Sequence, residues 1–329
     1  MRQMCLNMVY ELAKEDPRIF FIGSDLGVGT LNKFKQEMPS RFLMEGISEA
    51  NVVGLATGLA LEGKIPYVNT IATFITRRCY EQVVLDASLH NVNVRLIGNG
   101  GGLVYAPLGP THLAIEDIAI MRAIPNMTIV APADADEMRR FMPLTVDHQG
   151  PIYIRLGKGY DPIVSNDDVP FEIGKAISMR PGSDALILTT GITLRTGLEA
   201  ADILKEQGIS AGVLHVHTIK PLDVDGILEH AANVRAVVAV EEHSVIGGLG
   251  SAVAEVIAEA GFDPAKRFKR VGLPDVFPDQ YGSQDSLMER YSITATELAR
   301  VTKGLTEGRP QMAFAVETQS PDPPVATRF

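Results

Sequence analysis

The sequence predicts an α/β protein of two consecutive doubly wound domains, each with a mainly parallel sheet. Three observations predict this fold. Short apolar segments typical of strands alternate with amphipathic segments typical of helices in both halves of the chain. Residues 161–172, which hold two prolines, an Asn-Asp-Asp run and no hydrophobic period, separate the halves as a linker. The 329 residues, 46% of them hydrophobic, suffice for two cores. We therefore expect domains at 1–160 and 173–306, followed by a disordered tail at 307–329.

The first half contains short apolar runs separated by segments with apolar residues at every third or fourth position. The runs are typical of buried strands, and the segments are typical of helices that pack on a sheet. The predicted strands are residues 19–22, 42–44, 65–68, 92–97, 127–131 and 152–156. The predicted helices are residues 2–14, a helix that begins at Glu49, and residues 74–90, 114–122 and 133–145. Because helices connect most of these strands, the sheet is expected to be parallel.

The second half repeats the alternation. The predicted strands are residues 185–189, 211–215, 234–240 and 268–271, and the predicted helices are residues 194–207 and 223–231. A glycine-rich turn at Gly247–Gly250 then opens a helix that runs to about Glu259. Such a helix start can hold an anion, but a lone glycine turn more often only allows the helix to pack closely on its sheet.

Composition excludes several classes of partner. The net charge is −10 and no Lys/Arg-rich stripe is present, which argues against nucleic acid and anionic membrane surfaces. No apolar run approaches the ~20 residues of a membrane span, and the N-terminus has no signal-peptide core. Two cysteines are too few for a disulfide scaffold. We expect a cytoplasmic protein with no membrane or nucleic-acid partner.

No spacing of His, Cys and Asp residues fits a metal site, so we expect none in this chain. His215 and His217 alternate at a predicted strand end and therefore share one face, but further ligands are missing. We expect them to be surface or interface histidines.

Glu49 is a single carboxylate at the start of an otherwise apolar helix. Gly54 and Gly58 lie four residues apart on that helix, so one face allows close approach of a backbone or a ligand. A carboxylate is favoured at this position by the helix dipole. Taken alone, Glu49 is an ordinary first-turn acid; burial at a subunit interface would make it a group that handles protons.

Glu49 is one of four features that follow predicted strand ends, where open parallel sheets bind ligands. An aromatic pair there can clamp a flat heterocycle, although large aromatics more often serve packing. A histidine at a loop tip can exchange protons near neutral pH. The four features are Asp25-Leu26, Glu49, the segment 73–80 with Phe74, two arginines and Tyr80, and the Gly109–His112 turn.

Together these residues lie in runs that resemble the C-terminal half of transketolase, and more broadly thiamine-diphosphate enzymes such as deoxyxylulose-phosphate synthase. The resemblance covers roughly residues 2–305 and implies a pyrimidine-binding domain at 1–160 and a transketolase C-terminal domain at 173–306. The runs that carry it are GISEANVVGLATGLALEGKIPYVNTIATF, GPTHLAIEDIAIMRAIPNMTIVAPADADE, GPIYIRLGKG, VHTIKPLD and VVAVEEHSVIGGLGSAV.

The resemblance implies a role for each matching residue. Glu49 would hydrogen-bond the aminopyrimidine of thiamine diphosphate and favour the imino tautomer that removes the thiazolium C2 proton. His112 would handle the protons of substrate hydroxyl or carbonyl groups. The remaining cofactor-binding positions would be Asp25, Leu26, Phe74, Arg77, which stands where the family has a third aromatic, and Tyr80.

The family binds diphosphate and Mg²⁺ through a Gly-Asp-Gly segment and a downstream Asn, and this sequence contains no such segment. The resemblance therefore implies a split enzyme. An N-terminal diphosphate-binding subunit would be the partner and would hold most of the Mg²⁺ (or Ca²⁺) site. The expected assembly is an α2β2 heterotetramer with the active site at the interface.

The substrate positions depart from transketolase. Leu108 replaces the aspartate that reads a donor hydroxyl, and Gly100 stands where the family has a phosphate-contacting histidine. Arg2 and Lys158 match phosphate-binding arginines, and Arg155 lies near the same strand end. These cations favour small anionic sugars that carry phosphate, sulfonate or carboxylate. The alternative for Arg155 and Lys158 is a salt bridge to acids of the linker.

The predicted function is therefore that of one subunit of a two-component transketolase, which transfers a two-carbon ketol unit from an anionic ketose to an aldose. A 2-oxoacid dehydrogenase E1 β-type subunit is a second possibility, although the Gly-Pro-Thr-His run favours transketolase. A third is a non-catalytic scaffold or regulatory subunit, which would need neither Glu49 nor His112.

Overall fold

The computed structural model describes residues 1–23, 31–157, 161–166 and 168–308. Six parallel strands form most of the first sheet, in the spatial order β5-β6-β4-β3-β1-β2. Their carboxyl ends meet at one edge, which is where a ligand binds in this type of sheet. In chain order the strands are β1 (Ile19–Gly23), β2 (Phe42–Met44), β3 (Ile65–Ile71), β4 (Arg95–Asn99), β5 (Thr128–Val130) and β6 (Ile152–Arg155).

Both faces of this sheet are covered, so its strands are apolar in consecutive positions. Phe21 and Tyr67 belong to the core on one face, whereas Ile22 and Val68 belong to the core on the other. The helices that cover it are α1 (Arg2–Glu15), α2 (Asn32–Glu37), α3 (Glu49–Leu61), α4 (Ala72–Thr76), α5 (Tyr80–Gln82), α6 (Asp117–Arg122), α7 (Ala135–Phe141) and α8 (Leu144–Asp147).

The second sheet is also mainly parallel, in the spatial order β12-β11-β8-β9-β7, with β7 antiparallel. Its strands are β7 (Ile177–Arg180), β8 (Ala185–Thr189), β9 (Ala211–His215), β11 (Ala236–Ser244) and β12 (Arg267–Leu273). Its helices are α9 (Thr193–Glu206), α10 (Val224–Ala232), α11 (Leu249–Glu259), α12 (Gln284–Arg290) and α13 (Ala295–Thr306). The predicted α/β class with two mainly parallel sheets is confirmed.

One short strand crosses between the two halves. β10 (Thr218–Lys220) lies in the second half of the chain but pairs antiparallel with β5 and so extends the first sheet. The pairing covers an edge that would otherwise leave backbone groups exposed. The two halves are therefore joined by a shared sheet as well as by the linker, a feature that the sequence pattern did not predict.

The predicted single helix over 74–90 is interrupted near its beginning. The chain forms α4, turns at 77–79, and continues through α5 into a π-helical segment at Val83–Leu89. The break occurs where Arg77 and Arg78 extend their side chains to different carboxylates, Glu116 and Glu49. These tertiary contacts outweigh the helical pattern, and short π-helical segments often accompany functional sites.

Both histidines of the 215–217 pair, which we expected at the surface or at an interface, are fully buried where the two halves of the chain meet. His215 Nε2 lies 3.1 Å from Glu137 Oε2 of α7. The His217 ring stacks on Phe171 at a centroid distance of 3.8 Å. Burial lowers the pKa of His217 to about 3, so the ring is neutral near pH 7.

The glycine turn before α11 receives an anion from its own chain. Leu249 N and Gly250 N donate to the Glu241 carboxylate at 2.7 and 2.9 Å. This contact gives a hydrogen-bond acceptor to the backbone N–H groups at the start of α11, and it supports the interpretation that the glycine turn serves packing.

In the part of the chain that the structure describes, no helix combines the length and apolarity that a bilayer crossing requires.

Candidate active site

Glu49 is buried at the carboxyl edge of the first sheet. It is the first residue of α3 and is only 2% exposed. Arg78 Nη1 donates to Glu49 Oε2 at 2.7 Å, and Thr70 Oγ1, near the end of β3, lies 3.5 Å from Oε1. Among the residues that the structure describes, one carboxylate oxygen is held by a short ion pair and the other by a single long contact.

Arg78 also lies over an aromatic ring. Its Cζ is 3.9 Å from the centroid of Phe74, and its side chain is 43% exposed. Cation–π contact and ion pairing together hold the guanidinium between Phe74 and Glu49. Of the two neighbouring arginines, Arg77 was predicted to bind the cofactor and Arg78 was not. The four-residue separation of Phe74 and Arg78, which places them on one side of a helical turn, is the signal that identifies Arg78.

Arg77 and Tyr80, both predicted to bind cofactor, use their polar ends to hold a neighbouring carboxylate and neighbouring backbone carbonyls. Arg77 Nε lies 3.0 Å from Glu116 Oε1, and Arg77 Nη2 donates to Thr111 O at 3.1 Å. The Tyr80 hydroxyl donates to Ile120 O of α6 at 3.0 Å. These contacts position the loop that carries the predicted catalytic histidine.

His112 lies next to Phe74. The two ring centroids are 5.2 Å apart in an edge-to-face arrangement, and His112 Nδ1 lies 2.8 Å from Thr111 Oγ1. The structure therefore brings Glu49, Arg78, Phe74 and His112 into one continuous row, which we call the Glu49–His112 row. Such a row can bind a flat heterocycle at one end and exchange a proton at the other.

A thiol borders the row without taking part in its chemistry. Cys79 is buried and donates to the Phe74 and Ile75 carbonyls. Burial and the nearby Glu49 carboxylate raise the pKa of the Cys79 thiol to about 12. Because the thiol stays protonated near pH 7, it is a structural group and not a nucleophile.

A pocket of about 270 Å³ opens beside the row. Asn99, at the end of β4, connects the two, because its Nδ2 donates to Thr70 O at 2.8 Å and to Asn69 Oδ1 at 2.7 Å. Arg2 and Leu108, both predicted to bind substrate, contribute to the pocket wall, and Leu108 is 48% exposed. The lining residues are Arg2, Asn99, Gly100, Val104, Tyr105, Pro107, Leu108 and Gly157.

Arg155 is engaged elsewhere, which argues against the substrate role expected for it. Its guanidinium is buried, with Nε 2.8 Å from Asp117 Oδ2 and Nη2 donating to Glu242 O at 2.9 Å. Burial opposes ionisation of Asp117, but Arg155 prevails and holds the pKa of that carboxyl below its usual range. The pair joins the two halves of the chain, and its acid is Asp117 rather than a linker acid.

Three predicted site residues, Asp25, Leu26 and Lys158, lie outside the described residues. Within the described ranges, no group of three or more His, Cys, Asp or Glu side chains is placed to hold a metal ion. The Glu49–His112 row fits an aminopyrimidine: a buried carboxylate oxygen can accept from a ring N–H, and Phe74 offers an aromatic face.

Family models match two parts of the chain. The transketolase pyrimidine-binding domain matches residues 1–160, and the transketolase C-terminal domain matches residues 174–298. The chain is 39% identical to a 6-deoxy-6-sulfo-D-fructose transketolase subunit, SqwH, of Clostridium sp. (strain MSTE9), over 93% of this chain and 94% of that protein. It is 38% identical to an apulose-4-phosphate transketolase subunit of Phocaeicola vulgatus, over 83% and 87% of the two chains.

Solved structures agree with these relatives. A split-gene transketolase, described as an inactive β4 tetramer, has a TM-score of 0.86 and 36% identity, over 94% of this chain and 99% of that one. A transketolase from Pichia stipitis has a TM-score of 0.73 at 19% identity, over 95% of this chain and 48% of its own, and so supports the fold. The chain belongs to the transketolase family, whose cofactor is thiamine diphosphate, and its function is of the two-component transketolase type.

Proposed function

We propose that this chain is the pyrimidine-binding subunit of an α2β2 transketolase, which moves a two-carbon ketol unit from an anionic ketose to an aldose. The observation that carries the proposal is the Glu49–His112 row, in which a buried carboxylate, an aromatic face and a histidine meet at one sheet edge. A scaffold subunit has no need for a buried carboxylate placed in this way.

Each residue of the row has a defined task in this mechanism. Glu49 would accept a hydrogen bond from the ring N–H of the aminopyrimidine, and Phe74 would pack against the heterocycle. When bound, thiamine diphosphate supplies the carbanion that cleaves and remakes the bond beside the ketose carbonyl. Because Thr111 occupies His112 Nδ1, Nε2 is the nitrogen that exchanges a proton with a substrate oxygen.

The donor is an anionic ketose. Arg2 supplies a cation at the pocket, while Leu108 and Pro107 give it an apolar side that suits a less hydroxylated sugar. By their names, one relative acts on a sulfonated sugar and another on a sugar phosphate, and both substrates are anionic. The names of these relatives support an anionic group on the donor sugar, and experiment must decide which anion it is.

The partner is an N-terminal, diphosphate-binding subunit that holds Mg²⁺ (or Ca²⁺). The described residues contain no metal-binding cluster of their own. Two of the similar proteins are named as subunits, and a similar tetramer made of β chains is described as inactive. We place the complex in the cytoplasm.

Reconstitution tests the proposal. The isolated chain, a co-expressed partner chain with a Gly-Asp-Gly segment, and the two together are each assayed with thiamine diphosphate, Mg²⁺, hydroxypyruvate and an aldose acceptor. Only the complex should transfer ketol, because neither chain holds both ends of the cofactor. Turnover by the isolated chain would contradict the split site. Pyruvate decarboxylation with acylation of a lipoyl domain would instead assign an E1-type activity.

Replacement of Arg78 by alanine should lower kcat/KM of the complex by about tenfold, because the buried Glu49 carboxylate loses its partly exposed ion-pair partner. Steady-state kinetics with hydroxypyruvate measure this. Arg18→Ala is the matched control, since Arg18 forms an exposed pair with Asp16 at the opposite sheet edge. Equal losses in the two variants would show that Arg78 acts through general charge and not through Glu49.

A further inference from the structure

Gly100 and Tyr105 pack tightly against each other in the wall of the pocket beside the Glu49–His112 row. Gly100 has φ +70°, a conformation that favours glycine. A Cβ at Gly100 would overlap the Tyr105 ring, so the ring occupies the space that any side chain at this position would need. Only glycine therefore allows Tyr105 to sit at the end of β4, and both residues line the pocket.

The pocket offers few polar partners to a ligand. Asn99 uses Nδ2 for two hydrogen bonds within the protein, whereas its Oδ1 is buried and accepts none from the described residues. Arg2 is the cation of the lining, and it makes no ion pair with any described residue. The side formed by Val104, Pro107 and Leu108 has no side-chain donor or acceptor. Arg2 can therefore neutralise one anion in the pocket, whereas a hydroxyl that lies against Val104, Pro107 and Leu108 meets no side-chain donor or acceptor from these three residues.

We propose that Tyr105, seated against Gly100, is the specificity-determining residue of this pocket and selects anionic ketoses that are deoxygenated next to their anionic group. The ring narrows the pocket, so that a bound sugar carbon lies against Leu108 and Pro107 and displaces the water that covers them. A hydroxyl on that carbon loses its hydration and finds no partner. A deoxygenated carbon has no hydroxyl and therefore pays no such desolvation cost. This inference rests on the proposed ketol transfer.

Donor selectivity of the reconstituted complex tests the role of Tyr105. The donors are D-xylulose 5-phosphate and its 4-deoxy analogue, which share the anion, differ by the hydroxyl next to the phosphate-bearing carbon and are both open-chain ketones. The wild-type complex should prefer the 4-deoxy donor by about tenfold or more in kcat/KM. Tyr105→Ala should reduce the preference to about threefold or less, because water then enters beside Leu108. Tyr105→Phe, which keeps the ring, should retain the preference. An unchanged preference in Tyr105→Ala overturns the inference.

A double-mutant cycle tests the packing contact between Gly100 and Tyr105. Gly100→Ala should raise the KM for both phosphate donors about tenfold, and the addition of Tyr105→Ala should reverse much of that rise, because the overlap is removed. Gly63→Ala is the matched control, since Gly63 has φ +77° but no atom lies within 4 Å of the position that a Cβ would take. It reports the cost of the backbone conformation alone. Equal effects of Gly100→Ala in the two backgrounds would show that the residues are not coupled.

Hydroxypyruvate separates the role of Tyr105 from the proposed function, because it has no distal carbons to reach the pocket. A wild-type complex that transfers ketol from hydroxypyruvate but shows no donor preference overturns the role of Tyr105 and leaves the proposed function standing. A wild-type complex that transfers ketol from no donor overturns both.

Discussion

Replacement of Glu49 by glutamine is expected to lower ketol transfer by the reconstituted complex roughly 10²–10⁴-fold, the range of a lost acid–base group. Glutamine has the same shape but no charge, so it accepts the aminopyrimidine N–H weakly and leaves Arg78 without its carboxylate. The measurements are kcat/KM with hydroxypyruvate and the rate of deuterium exchange at the thiazolium C2 of the bound cofactor. Both should fall together, because the step that Glu49 assists precedes attack on the donor.

The control for this variant is Glu62→Gln. Glu62 is the exposed residue at the opposite end of the same helix, so its neutralisation changes the net charge equally. Activity should stay within about twofold of wild type, as for ordinary exposed positions. If Glu49→Gln retained full activity, the scaffold interpretation of this chain would be correct and the catalytic assignment wrong.

Replacement of Arg155 by leucine is expected to destabilise the isolated chain by about 3–5 kcal/mol, the usual cost of leaving a buried charge without its partner. Asp117, which is 1% exposed, would lose the contact at 2.8 Å. The arginine also donates to Ala114 O and Glu242 O, so the loss weakens the junction of the two halves. Chemical denaturation measures the change. Addition of Asp117→Leu should recover part of it, since an apolar pair replaces the orphaned charge.

The control is Arg139→Leu, which removes an exposed ion pair with Asp136 and should cost less than about 1 kcal/mol. The pH dependence gives an independent check. Because Arg155 holds the pKa of Asp117 below its ordinary value of 3.8, the pair contributes its full stability above that pH and loses it as the pH falls further. The difference in unfolding free energy between the wild type and Arg155→Leu should therefore shrink as the pH falls below 3.8. Equal losses of unfolding free energy in the two arginine variants would show that the buried Arg155–Asp117 pair contributes no more stability than an exposed pair.

The regular elements that the sequence predicted correctly are those whose identity depends on local pattern. Strands such as β1 and β8 are runs of apolar residues covered on both faces, and the helix that begins at Glu49 follows a glycine-containing turn. β10 was not predicted, because three residues carry too little pattern and their pairing with the distant β5 defines the strand. The broken helix at 74–90 was mispredicted for a related reason, since contacts of Arg77 and Arg78 with distant residues set the break.

The sequence by itself determined the fold class, the family resemblance and the placement of Glu49, Phe74 and His112 at strand ends, because each depends on residue type and on order along the chain. Only the tertiary structure decided which carboxylate each arginine pairs with. Arg78 lies against Glu49, whereas Arg155 is buried with Asp117. The physical reason is that the partner of a long charged side chain is chosen by three-dimensional proximity and burial, and neighbouring arginines in a sequence give no sign of that choice.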